Sequence, residues 1–326
     1  MSMPQFTYVR PKSLDETFRH LSTGNARIYA GGTDLLGCLH DGIFAAEKVV
    51  SISRLEELQG VEQMGNGSLR IGALATVSEV ANHPLLKERY PALVQAAREV
   101  ASPQLRNQGT IGGNLCQKPR CWYYRGDFHC SRKGGSQCFA VAGENQYHCI
   151  LGGEGCFIVH PSDIAPALVA YEALIVIAGA KGTKTVPVEK FFVLPEQDIT
   201  RETTLEPGEV VTAILMPKPP QGLRSSYRKV RARGSWDFAL AGIALALRFN
   251  GGKLAGARIV LSGAAPIPWR SPDAEDAIVG RPLDESTIAR AAAAAMKAAR
   301  PLEHNEYKID LFKGLLAEEL AAHAQT

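Results

Sequence analysis

An α+β fold in more than one domain is the class this sequence predicts, and three observations predict it. The first two-thirds of the chain alternates short helical and strand patterns without the long regular repeats of a parallel α/β domain. A proline- and glycine-rich stretch, Pro217 to Gly222 (PKPPQG), forms the clearest linker. Beyond it strands come first and helices later, the order of a compact α+β unit. The length of 326 residues, 45% hydrophobic and 21% charged, suits two domains or three small ones and excludes a disordered or fibrous chain.

Each element has a local reason. Ser13 followed by Asp15 and Glu16 opens a helix, and Arg27 to Ala30 reads as a strand. Gly31 and Gly32 then turn the chain into a short helix. Val49–Ser53 and Leu69–Ala73 read as buried strands, and Thr76 as a helix cap. Ser78 to Val100 is helical in pattern, broken near Pro84 and Pro91. His160-Pro161-Ser162-Asp163 caps a helix from Ile164 to Tyr171. Leu174–Ala178 and Val210–Met216 read as strands. After the linker come strands around Ser225–Val230, Phe238–Phe249 and Ala257–Ser262. Asp284 caps the alanine-rich Ile288–Ala299, and Ile309–Ala322 is a last amphipathic helix.

Several function classes are unsupported. The net charge of +3, from 36 basic and 33 acidic residues, gives no footprint for nucleic acid. The start, MSMPQFTYVR, has no apolar signal region, and no stretch reads as a membrane span. No GxGxxG follows a strand, no GxxxxGK[ST] is present, and neither GxSxG nor HExxH occurs, so nucleotide-fold and hydrolase signatures are missing.

Two glycine turns stand out, AGGTDLLG at 30–37 and GTIGGN at 109–114. Glycines let a backbone approach a ligand closely, and successive N–H groups cradle anions. Thr33, Thr110 and Asn114 add polar side chains beside them. Tight turns needing positive φ are the plain structural alternative.

The seven cysteines are unevenly placed. Cys116, Cys121, Cys130, Cys138, Cys149 and Cys156 crowd a 47-residue stretch between Asn114 and Ser162, while Cys38 stands apart as a small apolar core residue. Disulfides would need an oxidising compartment. Structural zinc favours closely paired cysteines, often with histidine, and His129 and His148 are candidate contributors. An iron–sulfur cluster needs four thiolates from a wrapping loop and tolerates irregular spacing. Arg120, Arg125, Arg132 and Lys133 would offset its negative charge, or simply form a solvated surface.

The succession AGGTDLL, RNQGTIGGNL, PSDIAPAL and YRKVRAR, with DFALAGIALAL after it, resembles the FAD-binding medium subunits of molybdenum hydroxylases. That group includes the xanthine dehydrogenase flavin domain, the carbon monoxide dehydrogenase medium subunit and bacterial aldehyde oxidoreductases. The resemblance runs from Phe6 to about Ala322. It implies a two-part FAD-binding fold of the vanillyl-alcohol oxidase type, with parts at 1–55 and 56–220. A C-terminal domain at 221–326, with a three-stranded antiparallel sheet and helices, would follow. It implies that Ala30, Gly31, Gly32, Thr33, Asp34 and Leu35 wrap the FAD pyrophosphate, with Thr110, Gly113 and Asn114 as a second wall. Ser162 and Asp163 would contact the ribityl and phosphate region, Val211 the adenine side, and Lys229 would lie near the flavin ring.

The stretch 116–157 resembles the insertion of the branch that carries a 4Fe-4S cluster, found in aldehyde oxidoreductases and 4-hydroxybenzoyl-CoA reductase. The aldehyde oxidoreductase pattern implies Cys121, Cys130, Cys138 and Cys156 as ligands, with Cys149 as the substitute for Cys156 and Cys116 packing near FAD. The implied role is electron transfer between 2Fe-2S clusters and an external acceptor or donor. The implied partners are a large molybdopterin-binding subunit and a small 2Fe-2S subunit, in a heterotrimer or its dimer. The compartment is cytoplasmic, or periplasmic by co-export with a Tat-signalled partner. A stand-alone FAD oxidase of the same fold and a non-enzymatic zinc module are the competing readings.

Overall fold

The computed structural model describes residues 3–250 and 253–324. Three sheets organise them. Thr7–Val9, Lys48–Ser51 and Ala26–Tyr29 form a small parallel sheet with Lys48–Ser51 in the middle. The helix Leu14–Leu21 connects its two outer strands, and Ser13 caps it by accepting from the Glu16 N–H at 3.2 Å. The second sheet has five antiparallel strands, in the order Val61–Gln63, Leu69–Gly72, Val210–Met216, Leu174–Gly179 and Gly182–Pro187. The helices Val77–Asn82, Pro84–Arg89 and Pro91–Glu99 lie where one broken helix is expected. Thr76 and Glu79 close a capping box on the first, and prolines open the other two.

The third sheet is antiparallel, in the order Trp269–Arg270, Lys253–Ser262, Ala241–Asn250 and Leu223–Val230. It has four strands rather than the three expected, because the two-residue Trp269–Arg270 pairs with Val260 and Leu261. Its central strand explains the long apolar run in the sequence. Ala241, Ile243, Leu245 and Leu247 face the helices Pro272–Ile278, Glu285–Ala295 and Tyr307–Ala324. Ala244 and Ala246 face the helices Pro91–Glu99 and Ile164–Ala170 instead. A strand buried on both faces loses the polar alternation of a half-exposed one.

The stretch 116–157 has little regular structure, only the short helix Trp122–Arg125 and a single 3₁₀ turn at Ser131–Lys133. It lies between the glycine turns and the C-terminal sheet. Its end is pinned to that sheet by the N–H groups of Ile150 and Leu151, both donating to the Ala264 carbonyl at 2.9 and 3.1 Å.

Candidate functional site

The two glycine turns meet. A Cβ at Gly31 would sit 1.8 Å from the Gln108 carbonyl oxygen, so the first turn lies directly on the backbone leading into the second. Gly32 has φ +74°, and a side chain there would collide with the Tyr29 ring. The second turn is held from below. Gly112 N–H donates to the Ala73 carbonyl at 2.9 Å, and the Thr110 hydroxyl accepts from Gly113 N–H at 3.1 Å.

Between the turns runs a cleft with two chambers. The first, about 220 Å³, is lined by Ala30, Gly31, Gly32, Thr33, Asp34 and Leu35, with Thr110, Gly113 and Val211 among the facing residues. The second, about 300 Å³, shares Thr33, Asp34, Thr110 and Gly113 with it and adds Asn114 and Asp163. Two non-glycine residues with positive φ, Ala101 (42°) and Trp236 (51°), border this second chamber. Cys116 lines the first. A cleft walled by close-approaching backbone at two glycine turns suits the phosphates of a dinucleotide.

The residues 162–163 take different roles from a simple cap. Ser162 does the capping: its hydroxyl accepts from Ala165 N–H at 2.9 Å and donates to Asn114 Oδ1 at 2.5 Å. Asp163 makes no cap bond. Its carboxylate accepts from Tyr227 Oη and from Lys229 Nζ, each at 2.8 Å. Burial raises the Asp163 carboxyl above its ordinary value, while the Lys229 ammonium and the Tyr227 hydroxyl pull it down. Lys229 itself is buried and reaches the second chamber only through Asp163.

Asp34 lines both chambers, and its carboxylate is engaged by the insertion. Arg125 and Arg120 bind its Oδ1 at 2.7 and 2.9 Å, and Lys118 N–H donates to its Oδ2 at 2.7 Å. Arg125 also contacts Cys38 Sγ at 2.9 Å, and burial pushes that thiol up to about 11. Cys38 is a core residue as expected, but one with a polar neighbour. The Asp34→Asn variant should lose ~2–3 kcal/mol of stability, since two guanidiniums that are half-buried or more lose their anion. Thermal unfolding checks the loss, and faster proteolysis within 116–157 should accompany it.

Cys121, Cys130, Cys138 and Cys156 line one small pocket, together with Arg132 and His148. All are free thiols. Burial pushes the Cys121 thiol up to about 11 and raises that of Cys156. His148 Nε2 lies 3.3 Å from Cys121 Sγ. Cys149 is fully buried but outside this pocket, its Sγ packed against Gly153. Among the described residues, no three Cys, His, Asp or Glu side chains converge as ligands of a single ion.

Glu202, invisible as a site residue in the sequence, joins the two regions. Its Oε1 accepts from Arg132 Nε and Nη2 at 3.2 and 2.5 Å, and its Oε2 pairs with Lys118. Lys118 borders the first chamber and Arg132 the cysteine pocket. A further cavity of about 500 Å³ adjoins both regions and is lined by Arg120, Cys121, Trp122, Tyr147, His160 and Phe238.

His160 is buried, with Nδ1 accepting from Ser162 N–H at 3.3 Å and its ring edge-on to Phe192. Burial lowers its pKa to about 4. The unfolded chain therefore takes up this proton first as pH falls. The contribution is whole above pH ~6.5 and is lost on the way down to about 4, a loss of about 3 kcal/mol. Urea midpoints at pH 7.5 and 4.5 should show it, and the pH difference should shrink in His160→Gln.

Comparison with known proteins accounts for this arrangement. Residues 4–219 match the family of FAD binding domains in molybdopterin dehydrogenase, and residues 225–322 match the CO dehydrogenase flavoprotein C-terminal domain. The chain is 34% identical to the aldehyde oxidoreductase FAD-binding subunit PaoB of Escherichia coli, over 99% of this chain and all of that one. It is 29% identical to the carbon monoxide dehydrogenase medium chain of Hydrogenophaga pseudoflava, covering 99% and 97%. The solved carbon monoxide dehydrogenase from that organism superposes with a TM-score of 0.78 over 98% of this chain and 96% of that one, at 29% identity. Quinoline 2-oxidoreductase from Pseudomonas putida superposes with 0.79 over 100% and 99%, at 26% identity. No helix among the described residues is long and apolar enough to cross a membrane. The chain thus belongs to the FAD-binding medium subunits of the molybdenum hydroxylases, alongside those of CO dehydrogenase, aldehyde oxidoreductase and xanthine dehydrogenase, and is an oxidoreductase subunit of that family.

Proposed function

We propose that this chain carries FAD in the two-chambered cleft and a 4Fe-4S cluster in the cysteine pocket, and moves electrons between the 2Fe-2S clusters of a small subunit and an external acceptor or donor. One observation carries the reading. Four cysteines scattered over 36 residues line a single pocket, and the segment that closes it also borders the glycine cleft.

The residues fit FAD. Gly31 and Gly32 let the first turn pack onto the Gln108 backbone and the Tyr29 ring, which keeps bare backbone along the cleft. In this reading Ala30–Leu35, Thr110, Gly113 and Asn114 hold the pyrophosphate. Val211 lies toward the adenine. Ser162 and Asp163, with Lys229 behind them, serve the ribityl and ring end. Ser162 acts by fixing Asn114, and Lys229 by fixing Asp163. The acidic side chain of Asp34 is neutralised by Arg120 and Arg125 and so does not repel an anion.

The cysteines fit a cluster better than one ion, since a cubane takes one thiolate at each of four separate corners. Buried thiols stay protonated until a cation arrives and displaces the protons. Arg132 beside Cys156 and His148 beside Cys121 would donate to the sulfurs once these are thiolates. Flavin exchanges electrons in ones or twos, whereas an iron–sulfur centre handles one at a time, so together they suit electron relay. The organic substrate would be oxidised in a large molybdopterin-binding subunit. The proposed division of this chain is 1–55, 56–220 with the insertion at 116–157, and 221–326. The compartment would be the cytoplasm, or the periplasm by co-export with a partner.

Native purification of a tagged chain from its own cells tests the assignment. Two further subunits, one with molybdenum and one with extra iron, should come with it. A chain that purifies alone and reduces its own flavin with an organic substrate would mark a stand-alone oxidase and sink the proposal.

A further inference from the structure

Just before the last helix, and in its first turn, the chain is stitched to the insertion. Arg300 N–H donates to the Ile150 carbonyl at 2.7 Å, and His304 N–H donates to Asn145 Oδ1 at 2.9 Å. Asn305 Nδ2 donates to the carbonyls of His148 and Cys149 at 3.1 and 3.2 Å. Lys308 Nζ donates to the carbonyls of Tyr147 and Gly263 at 3.2 and 2.9 Å. Asn145, Asn305 and Lys308 are all fully buried. Every backbone carbonyl from Gln146 to Cys149 thereby finds a donor in this segment, since Tyr307 Oη serves Gln146.

Lys308 is the unusual member. Its partners are neutral carbonyls, and among the described residues no carboxylate lies within ion-pair distance of it. A buried ammonium without an anion is costly, by several kcal/mol on the usual scale, and such charges are normally paired. The titratable groups that feel its charge are His148 and Cys149. Behind them lies the cysteine pocket. Cys149 feels Cys156 and Cys138, and His148 touches Cys121. Burial lowers the Lys308 ammonium to about 8, the direction expected of a cation whose counter-charge is missing. Four thiolates around iron and sulfide carry net negative charge and would supply it.

We propose that Lys308 is a positioning residue that fixes segment 146–149 over the cysteine pocket and provides the buried positive charge that offsets an anionic iron–sulfur group there, raising its reduction potential. This rests on the cluster reading of that pocket. Taking up one electron adds a negative charge to the group, and a nearby buried cation favours that state.

The test uses the full chain, purified anaerobically with its partners, as wild type, Lys308→Met and Lys308→Arg. Iron and sulfide are assayed first, and the cluster potential is then followed by electron paramagnetic resonance during a redox titration. Lys308→Met should keep its iron with the potential shifted to lower values, and Lys308→Arg should stay near wild type. An unshifted potential in an iron-replete Lys308→Met overturns the inference. If Lys308→Met loses its iron, Lys308→Arg decides: iron retained near the wild-type potential supports the charge role, and iron lost there too overturns it. A wild-type chain without iron and sulfide overturns the cluster reading itself, and this inference with it.

Discussion

Replacing Cys138 with serine is expected to remove the iron and leave the FAD in place. Cys138 lies in the middle of the insertion, and its thiol lines the pocket with Cys121, Cys130 and Cys156. A hydroxyl is a poor substitute for a thiolate at iron, so iron should fall from about four per chain to below about one. Cys138 lines neither chamber of the glycine cleft, so flavin should stay near one per chain. A paired comparison sharpens the result. Cys156→Ser should behave like Cys138→Ser, whereas Cys149→Ser should keep its iron, because Cys149 Sγ packs against Gly153 outside the pocket. Iron retained in Cys156→Ser and lost in Cys149→Ser would exchange the two ligands.

The complementary loss follows from Gly31→Ala, which should release FAD and keep the iron. The new methyl would lie 1.8 Å from the Gln108 carbonyl oxygen. Backbone cannot yield as a side-chain tip does, so the two glycine turns must part, and both walls of the cleft move. Overpacking of this kind costs about 1–3 kcal/mol, which weakens FAD binding by about 5- to 150-fold if it falls on the bound form. Gly37→Ala is the control. It sits in the helix Leu35–His40 with open space at its Cβ, so it should keep FAD and gain a little helix stability. Flavin fluorescence released on dilution measures both. Equal FAD retention in the two variants would mean that the close approach of the turns does not shape the binding site.

What was legible in the sequence was whatever is encoded locally. Ser13, Thr76 and Asp284 cap the helices they precede, because a cap needs only a neighbour three residues away. The glycine pairs marked the cleft because close backbone approach tolerates no side chain. The strand Gly182–Pro187 leaves no signal in the sequence. It is an edge strand with an exposed polar face, and GTKTVP shows no apolar alternation. The strand Trp269–Arg270 and the helix Pro272–Ile278 were too short to show a period.

The charged groups were the least legible. In the sequence Arg120, Arg125 and Arg132 are only a positive surplus near the cysteines. Their partners, Asp34 and Glu202, lie 70 to 91 positions away. Asp163 looks like a helix cap by position, yet its carboxylate is taken by Lys229 and Tyr227 from the C-terminal sheet. Lys308 had no marker at all, since its partners are backbone carbonyls brought close only by the fold.

If one chain holds a flavin and a cubane cluster in adjoining sites, its composition must show both. The wild-type protein, purified without oxygen, is assayed for FAD, iron, acid-labile sulfide and zinc, alongside its absorbance spectrum. About one FAD, about four iron and about four sulfide per chain are expected, with no stoichiometric zinc. Zinc in place of iron, or a chain without flavin, would contradict that pairing.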